Sequence, residues 1–116
     1  MNHVTLIGNL TKDPELRQTG AGHSVCTFTL AVQRKLPKDA ERQADFLPVV
    51  CWRKLGEVCA KHLQKGSKVA VTGKMQSRSY EAGDGGKRTA TEVIADEVEF
   101  LDRVKAQEEA EDDYPY

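Results

Sequence analysis

Apolar and polar residues alternate along most of this chain, and the alternation predicts strands before any single residue is considered. Residues 3–10, HVTLIGNL, are short and β-branched and stop at Asn9 and the Asp13–Pro14 turn, so they read as a strand. After a GAGH loop at 20–23, residues 24–34 set Cys26, Phe28, Leu30 and Val32 against Thr27, Thr29 and Ala31, the period of a half-buried strand. Residues 35–43, KLPKDAERQ, are polar and contain Pro37, which predicts a mobile hairpin arm. The strand ADFLPVVCW follows. It puts Phe46, Pro48, Val50 and Trp52 on one face and Leu47, Val49 and Cys51 on the other, and Pro48 predicts an edge position or a bulge.

The period then changes. Leu55, Val58, Cys59, His62 and Leu63 recur at helical spacing, which predicts an amphipathic helix over 53–64 with Gly66 as its stop. A long strand from Lys68 to about Tyr80, a Gly-rich turn at 82–86 and a strand from Lys87 to about Leu101 complete the pattern, and the last fifteen residues show no core periodicity. Three strands, a helix and two strands, with hairpin-length links except around the helix, form the layout of an OB-fold, an all-β five-stranded Greek-key barrel with one helix. Residues 1–101 are thus expected to form the domain, and 102–116 a short acidic disordered tail.

A length of 116 residues holds one domain of this size. A mean hydropathy of -0.57, no apolar run near the length of a bilayer span and no signal-peptide layout predict a cytoplasmic protein, nucleoid-associated if it binds DNA, with no membrane contact. Cys26, Cys51 and Cys59 are odd in number and widely spaced, without a CxxC pair, and read as reduced core residues. His3, His23 and His62 are scattered. Neither set makes a metal or catalytic constellation, so no enzyme, metal or cofactor is expected.

Charge separates the two parts of the chain. Residues 1–105 hold all 17 basic residues and 13 of the 18 acidic ones, a net +4, whereas the last eleven carry −5. A mildly basic body with an acidic end suits a polyanion binder that carries a separate interaction tip.

Binding a nucleic-acid strand without reading its sequence requires flat aromatic faces for the bases and cations along the phosphates. Phe46 and Trp52 lie six residues apart on one strand face, roughly 20 Å at ~3.3 Å per residue, a spacing for separate nucleotides. On the next strand Lys74, Gln76, Arg78 and Tyr80 share the even face, while Val69, Val71, Gly73 and Met75 form a core-like odd face. Lys54 and Lys65 bracket the helix, and Arg34, Lys35 and Arg88 are further basic candidates. Phe28 and Phe100 read as core. The terminal Asp112, Asp113, Tyr114, Pro115 and Tyr116 read either as a solubilising end or as a peptide that docks into a basic pocket of partner proteins.

These residues resemble the bacterial single-stranded DNA-binding proteins. The resemblance is carried by MNHVTLIGNLTKDPELRQT, ADFLPVVCWRKLGEV, LQKGSKVAVTGK, SRSYEAGDGGKRTATEV and the closing strand that ends EFL, and it runs in order over about residues 1–101. It implies that Phe46, Trp52 and Tyr80 stack on bases and that Lys54, Lys65 and Arg78 contact phosphates. It further implies a homotetramer around which single-stranded DNA wraps, shielding strands during replication, recombination and repair, with the tip recruiting proteins of those processes. The chain departs from the family where Tyr116 replaces a terminal Phe, where the linker before the tip is only about ten residues long, where Leu36 replaces a stacking aromatic, and where Leu47 and Pro48 replace more polar residues. Two other readings are an OB-fold protein for RNA or replication restart, and an interaction scaffold acting through its tail alone.

Overall fold

The computed structural model describes residues 1–37 and 41–101; residues 38–40 of the arm and the tip residues Asp112, Asp113, Tyr114, Pro115 and Tyr116 lie outside it. The alternating segments form strands: β1 Val4–Leu10, β3 Ser24–Gln33, β4 Ala44–Trp52, β5 Lys68–Glu81 and β6 Lys87–Phe100, with helix α1 Arg53–His62 between β4 and β5. A further strand, β2 Glu15–Gln18, comes from residues with no alternation, all four exposed. Pairing with β3, from Glu15 opposite Thr27 to Gln18 opposite Ser24, creates it.

The sheet runs β1-β5-β6-β4-β3-β2, and a β1–β3 pairing at Asn9–Ala31 and Leu10–Leu30 closes the first five of these strands into a barrel. This is the expected OB-fold, with β2 added along the outside of β3. Only the β4–β6 contact is parallel, and it is confined to Val49–Val93 and Val50–Ile94. Pro48 pairs with Thr29 of β3 but stands just before that contact, so on the β6 side β4 is still an edge where the proline lacks its N–H.

The interior holds the residues that alternation selected. Leu10, Cys26, Phe28, Leu30, Val49, Cys51, Val69, Val71, Val93 and Ala95 make one cluster, joined by Cys59 and Leu63 from the helix region. All three thiols are free and fully buried. Burial pushes Cys26 up to about 11, and the 4.0 Å Sγ–Sγ contact with Cys59, together with burial, raises Cys51, so Cys26 and Cys51 stay protonated as core hydrophobes, while the same contact lowers Cys59.

Four expectations require correction. The helix ends at His62, and its buried stripe is narrower than its periodicity suggests: Leu55, Gly56 and Cys59 face the barrel, while Val58 and His62 are exposed. Gly66 does not stop the helix, whose cap is Leu63; at φ +90 it shapes the next turn, where its N–H donates to the Leu10 carbonyl. Met75 is exposed although its partner Val93 is buried, because just beyond this pair, from Gln76 and Glu92 onward, β5 and β6 leave the barrel as a two-stranded ribbon with no core behind it. Phe100 is partly exposed and leans on the His62 ring at 6.0 Å.

One irregularity precedes the ribbon, at Gly73. There the β5–β6 register shifts, from Thr72 opposite Glu97 to Gly73 opposite Ala95, which leaves one extra residue, Asp96, on β6. Such a bulge bends and twists the pair shortly before the ribbon begins.

Candidate nucleic-acid interface

The outer face of β4 begins and ends in an uncovered ring. Phe46 is 64% exposed opposite Ala31, and Trp52 is 43% exposed opposite Val25. Small or β-branched neighbours across the strand leave both rings bare. Between them Val50 is buried yet lies outside the core cluster, because it floors a groove on the outer surface. One register row crosses this surface: Lys74 opposite Ile94, Ile94 beside Val50, Val50 opposite Thr27, and Thr27 opposite Glu15.

The groove has a volume of about 330 Å³ and runs between the β2 side and the base of the ribbon. Thr27, Thr29, Pro48 and Val50 line its floor, with Lys12, Asp13, Glu15 and Arg17 on one bank and Arg78 and Glu92 on the other. Arg78 Nε lies 3.4 Å from Glu92 Oε1, and its guanidinium carbon sits 5.8 Å from the Tyr80 ring centroid. Tyr80 is 45% exposed and faces Arg88 across the ribbon, where Arg88 pairs with Asp84 at 3.2 Å. Trp52, Lys54, Lys74, Arg78 and Tyr80 are all exposed, and alternation along β5 brings Lys74, Arg78 and Tyr80 together on one face of that strand. Lys54 lies in the first turn of α1, two residues beyond Trp52. Lys65 is exposed beyond the other end of the helix, where its backbone N–H donates to Asp13 Oδ1 at 2.8 Å and ties that turn to the groove bank.

Arg34 is engaged within the chain. Its Nη2 lies 2.7 Å from Asp45 Oδ1, its Nε donates to both Asp45 oxygens at 3.1 and 3.2 Å, and its Nη1 donates to Gln43 Oε1 at 3.1 Å. This clamp closes the base of the β3–β4 arm directly before Phe46. The hydrogen bonds from Arg34 hold the Asp45 carboxyl below its ordinary value. A depressed folded-state value means that the clamp is fully formed above the unfolded carboxyl's 3.8 and is lost as pH falls through the lower folded value. At neutral pH, Asp45→Asn is expected to speed hydrogen exchange of the Arg34 amide, which donates to the Gln43 carbonyl at 2.9 Å, without affecting core amides. Unchanged exchange would show that the clamp does not order the arm.

Lys12, Arg17 and Glu92 were not singled out by their sequence. Arg17 reaches the groove because β2 folds onto β3, Lys12 follows Thr11, whose N–H donates to the Thr29 carbonyl, and Glu92 shares a face with Arg78 only through the β5–β6 register. Among the described residues there is no His, Cys, Asp or Glu cluster suited to a metal ion, and no helix long and apolar enough to cross a membrane.

Comparison with known proteins adds an independent finding. Residues 1–101 match the single-strand binding protein family. A single-stranded DNA-binding protein of Clostridium tetani is 54% identical over 103 residues, covering 88% of this chain and 71% of that protein. Single-stranded DNA-binding protein 3 of Clostridium acetobutylicum is 50% identical, covering 88% and 72%, and single-stranded DNA-binding protein 2 of Listeria innocua is 52% identical, covering 88% and 65%.

Proposed function

This chain belongs to the single-strand binding protein family, and from that premise we propose that it binds single-stranded DNA without reading its sequence. The observation that carries the reading is the set of three exposed aromatic rings, Phe46, Trp52 and Tyr80, on a surface that also presents Lys54, Lys74 and Arg78. An aromatic ring exposed to water is unfavourable unless something flat covers it in the working state. Every base has such a face, which is why stacking tolerates any sequence.

Binding begins with Lys54, Lys65 and Arg78 displacing counterions from the phosphates of the strand, and continues with bases stacking on the three rings. Arg34 serves the same surface indirectly, by holding the arm beside Phe46. Duplex DNA is a poor ligand because its base faces are already covered. The protein works by occupancy, without catalysis and without a cofactor, shielding strands exposed in replication, recombination and repair. Residues 1–101 are the binding domain and 102–116 the interaction tail, in which Asp112, Asp113, Tyr114, Pro115 and Tyr116 engage replication and repair proteins. Assembly into a homotetramer lets one strand wrap several domains, and the exposed Ile7 on β1 is apolar surface that self-association would cover. The working place is the cytoplasm, at the nucleoid.

Fluorescence anisotropy with labelled oligo-dT, oligo-rU and a duplex of equal length tests this reading. Oligo-dT is expected to bind tightest and the duplex weakest. Affinity should fall with salt at a slope of about −2 for three phosphate contacts per chain, at about −0.7 each. Preference for oligo-rU would favour the RNA-binding alternative. Absence of binding to every probe would leave the tail as the only functional element.

A further inference from the structure

The groove beneath the ribbon carries its own anion. Arg78 and Glu92 are diagonal neighbours across β5 and β6, with Arg78 opposite Ala90 and Gln76 opposite Glu92, so both side chains emerge on the same face over the small Ala90. Their exposures differ: the Glu92 side chain is 16% exposed and that of Arg78 57%. The carboxylate is therefore the fixed member of the pair, sheltered in the groove wall, and the guanidinium is the member free to leave. The other two carboxylates of the groove are otherwise engaged. Glu15 pairs with Arg17 at 3.2 Å in open solvent, and Asp13 accepts the Lys65 backbone N–H.

We propose that Glu92 acts as a built-in substitute for a nucleic-acid phosphate, competing with it for Arg78 and so setting how tightly the groove holds a strand. The inference rests on the single-stranded DNA reading given above. Glu92 has two opposing effects on an arriving phosphate. It restrains the guanidinium in the groove, which favours capture, and it repels a second anion brought to the same cation, which opposes it. The restraint is weak, since it is one 3.4 Å contact on a side chain more than half in water. The repulsion is less attenuated, because a carboxylate sheltered from solvent is poorly screened by salt. Repulsion therefore wins, and Glu92 lowers affinity. Release of Arg78 from Glu92 also frees it from its position 5.8 Å from the Tyr80 ring, uncovering that face for a base. Phosphate capture and stacking are thereby linked through one side chain, and a strand bound this way is also more easily given up to an enzyme that needs it.

The test is a double-mutant cycle read by anisotropy on labelled oligo-dT, with the wild-type chain, Glu92→Gln, Arg78→Ala and the double variant. Glu92→Gln keeps the shape and removes the charge. It is expected to tighten binding at least about fourfold, since a like-charge repulsion at about 5 Å has that size in the dielectric of water and is larger for a sheltered carboxylate. It should leave the affinity of Arg78→Ala unchanged, because the two residues act as a unit. Glu92→Ala, which removes the charge with a different shape, should also tighten binding. Wild-type binding that Glu92→Gln leaves unchanged or weakens overturns the inference alone, as does equal tightening in the Arg78→Ala background. No binding by the wild-type chain overturns the proposed function and the inference together.

Discussion

Trp52→Ala is expected to weaken binding of single-stranded oligo-dT by about 5- to 150-fold, the equivalent of the ~1–3 kcal/mol carried by one base–aromatic stack. The ring stands at the end of β4, directly before α1 and opposite Val25 of β3. It is 43% exposed and absent from the core cluster, so its removal opens no cavity. Folding stability should accordingly change by no more than about 0.5 kcal/mol. Lost affinity with retained stability separates a stacking platform from a core tryptophan, whose truncation typically costs about 3–5 kcal/mol. Unchanged oligo-dT affinity in a folded Trp52→Ala variant would remove this residue from the binding face.

The second large effect concerns folding. Gly73→Ala is expected to cost about 3 kcal/mol or more, the upper range for forcing atoms into a packed interior. A Cβ at this position would fall inside contact distance of the Ile94 carbonyl oxygen, 2.9 Å from its carbon and 3.0 Å from the Ala95 Cα. All three are backbone atoms of β6, so no side chain can swing aside, and the strands must separate at the register shift inside the barrel. Gly20→Ala is the matched comparison, since nothing lies within 4 Å of its Cβ direction, and it should shift stability by no more than about 0.5 kcal/mol. Urea denaturation of the two variants measures both. Equal stabilities would mean that the β5–β6 junction is not the tight crossing described.

Strand-by-strand alternation made most of the barrel legible. The inward runs Cys26, Phe28, Leu30 and Val32 of β3 and Leu47, Val49 and Cys51 of β4 are apolar, so the opposite, outward faces of Phe46 and Trp52 were readable from parity alone. The helix was readable in kind but not in extent, because Val58 and His62 continue the apolar spacing beyond the surface that the barrel can cover. Strand β2 was not readable. Its ELRQ segment has no pattern of its own and is ordered by β3. Met75 was misplaced for a related reason: its parity is right, but parity does not say where a barrel ends and a ribbon begins.

The candidate interface divides along the same line. Rings and lysines announce themselves by residue type, whereas pairing between charges depends on register. Nothing in the sequence tells that Arg34 is committed to Asp45 or that Arg78 meets Glu92, since each pair is made by strands joined through a hairpin. Counting basic residues therefore overstates the positive charge that a phosphate meets. The local balance of each arginine with its carboxylate sets the electrostatics of this face.

The most direct test uses the single tryptophan of the chain as its own reporter. Titrating the full-length protein with oligo-dT while following tryptophan fluorescence, with duplex DNA as a control, asks whether a base stacks on Trp52. Saturable quenching by the single strand, absent with the duplex and weakened by added salt, is the predicted result. Unchanged emission, together with no shift in the anisotropy of a labelled oligo-dT, would contradict the account.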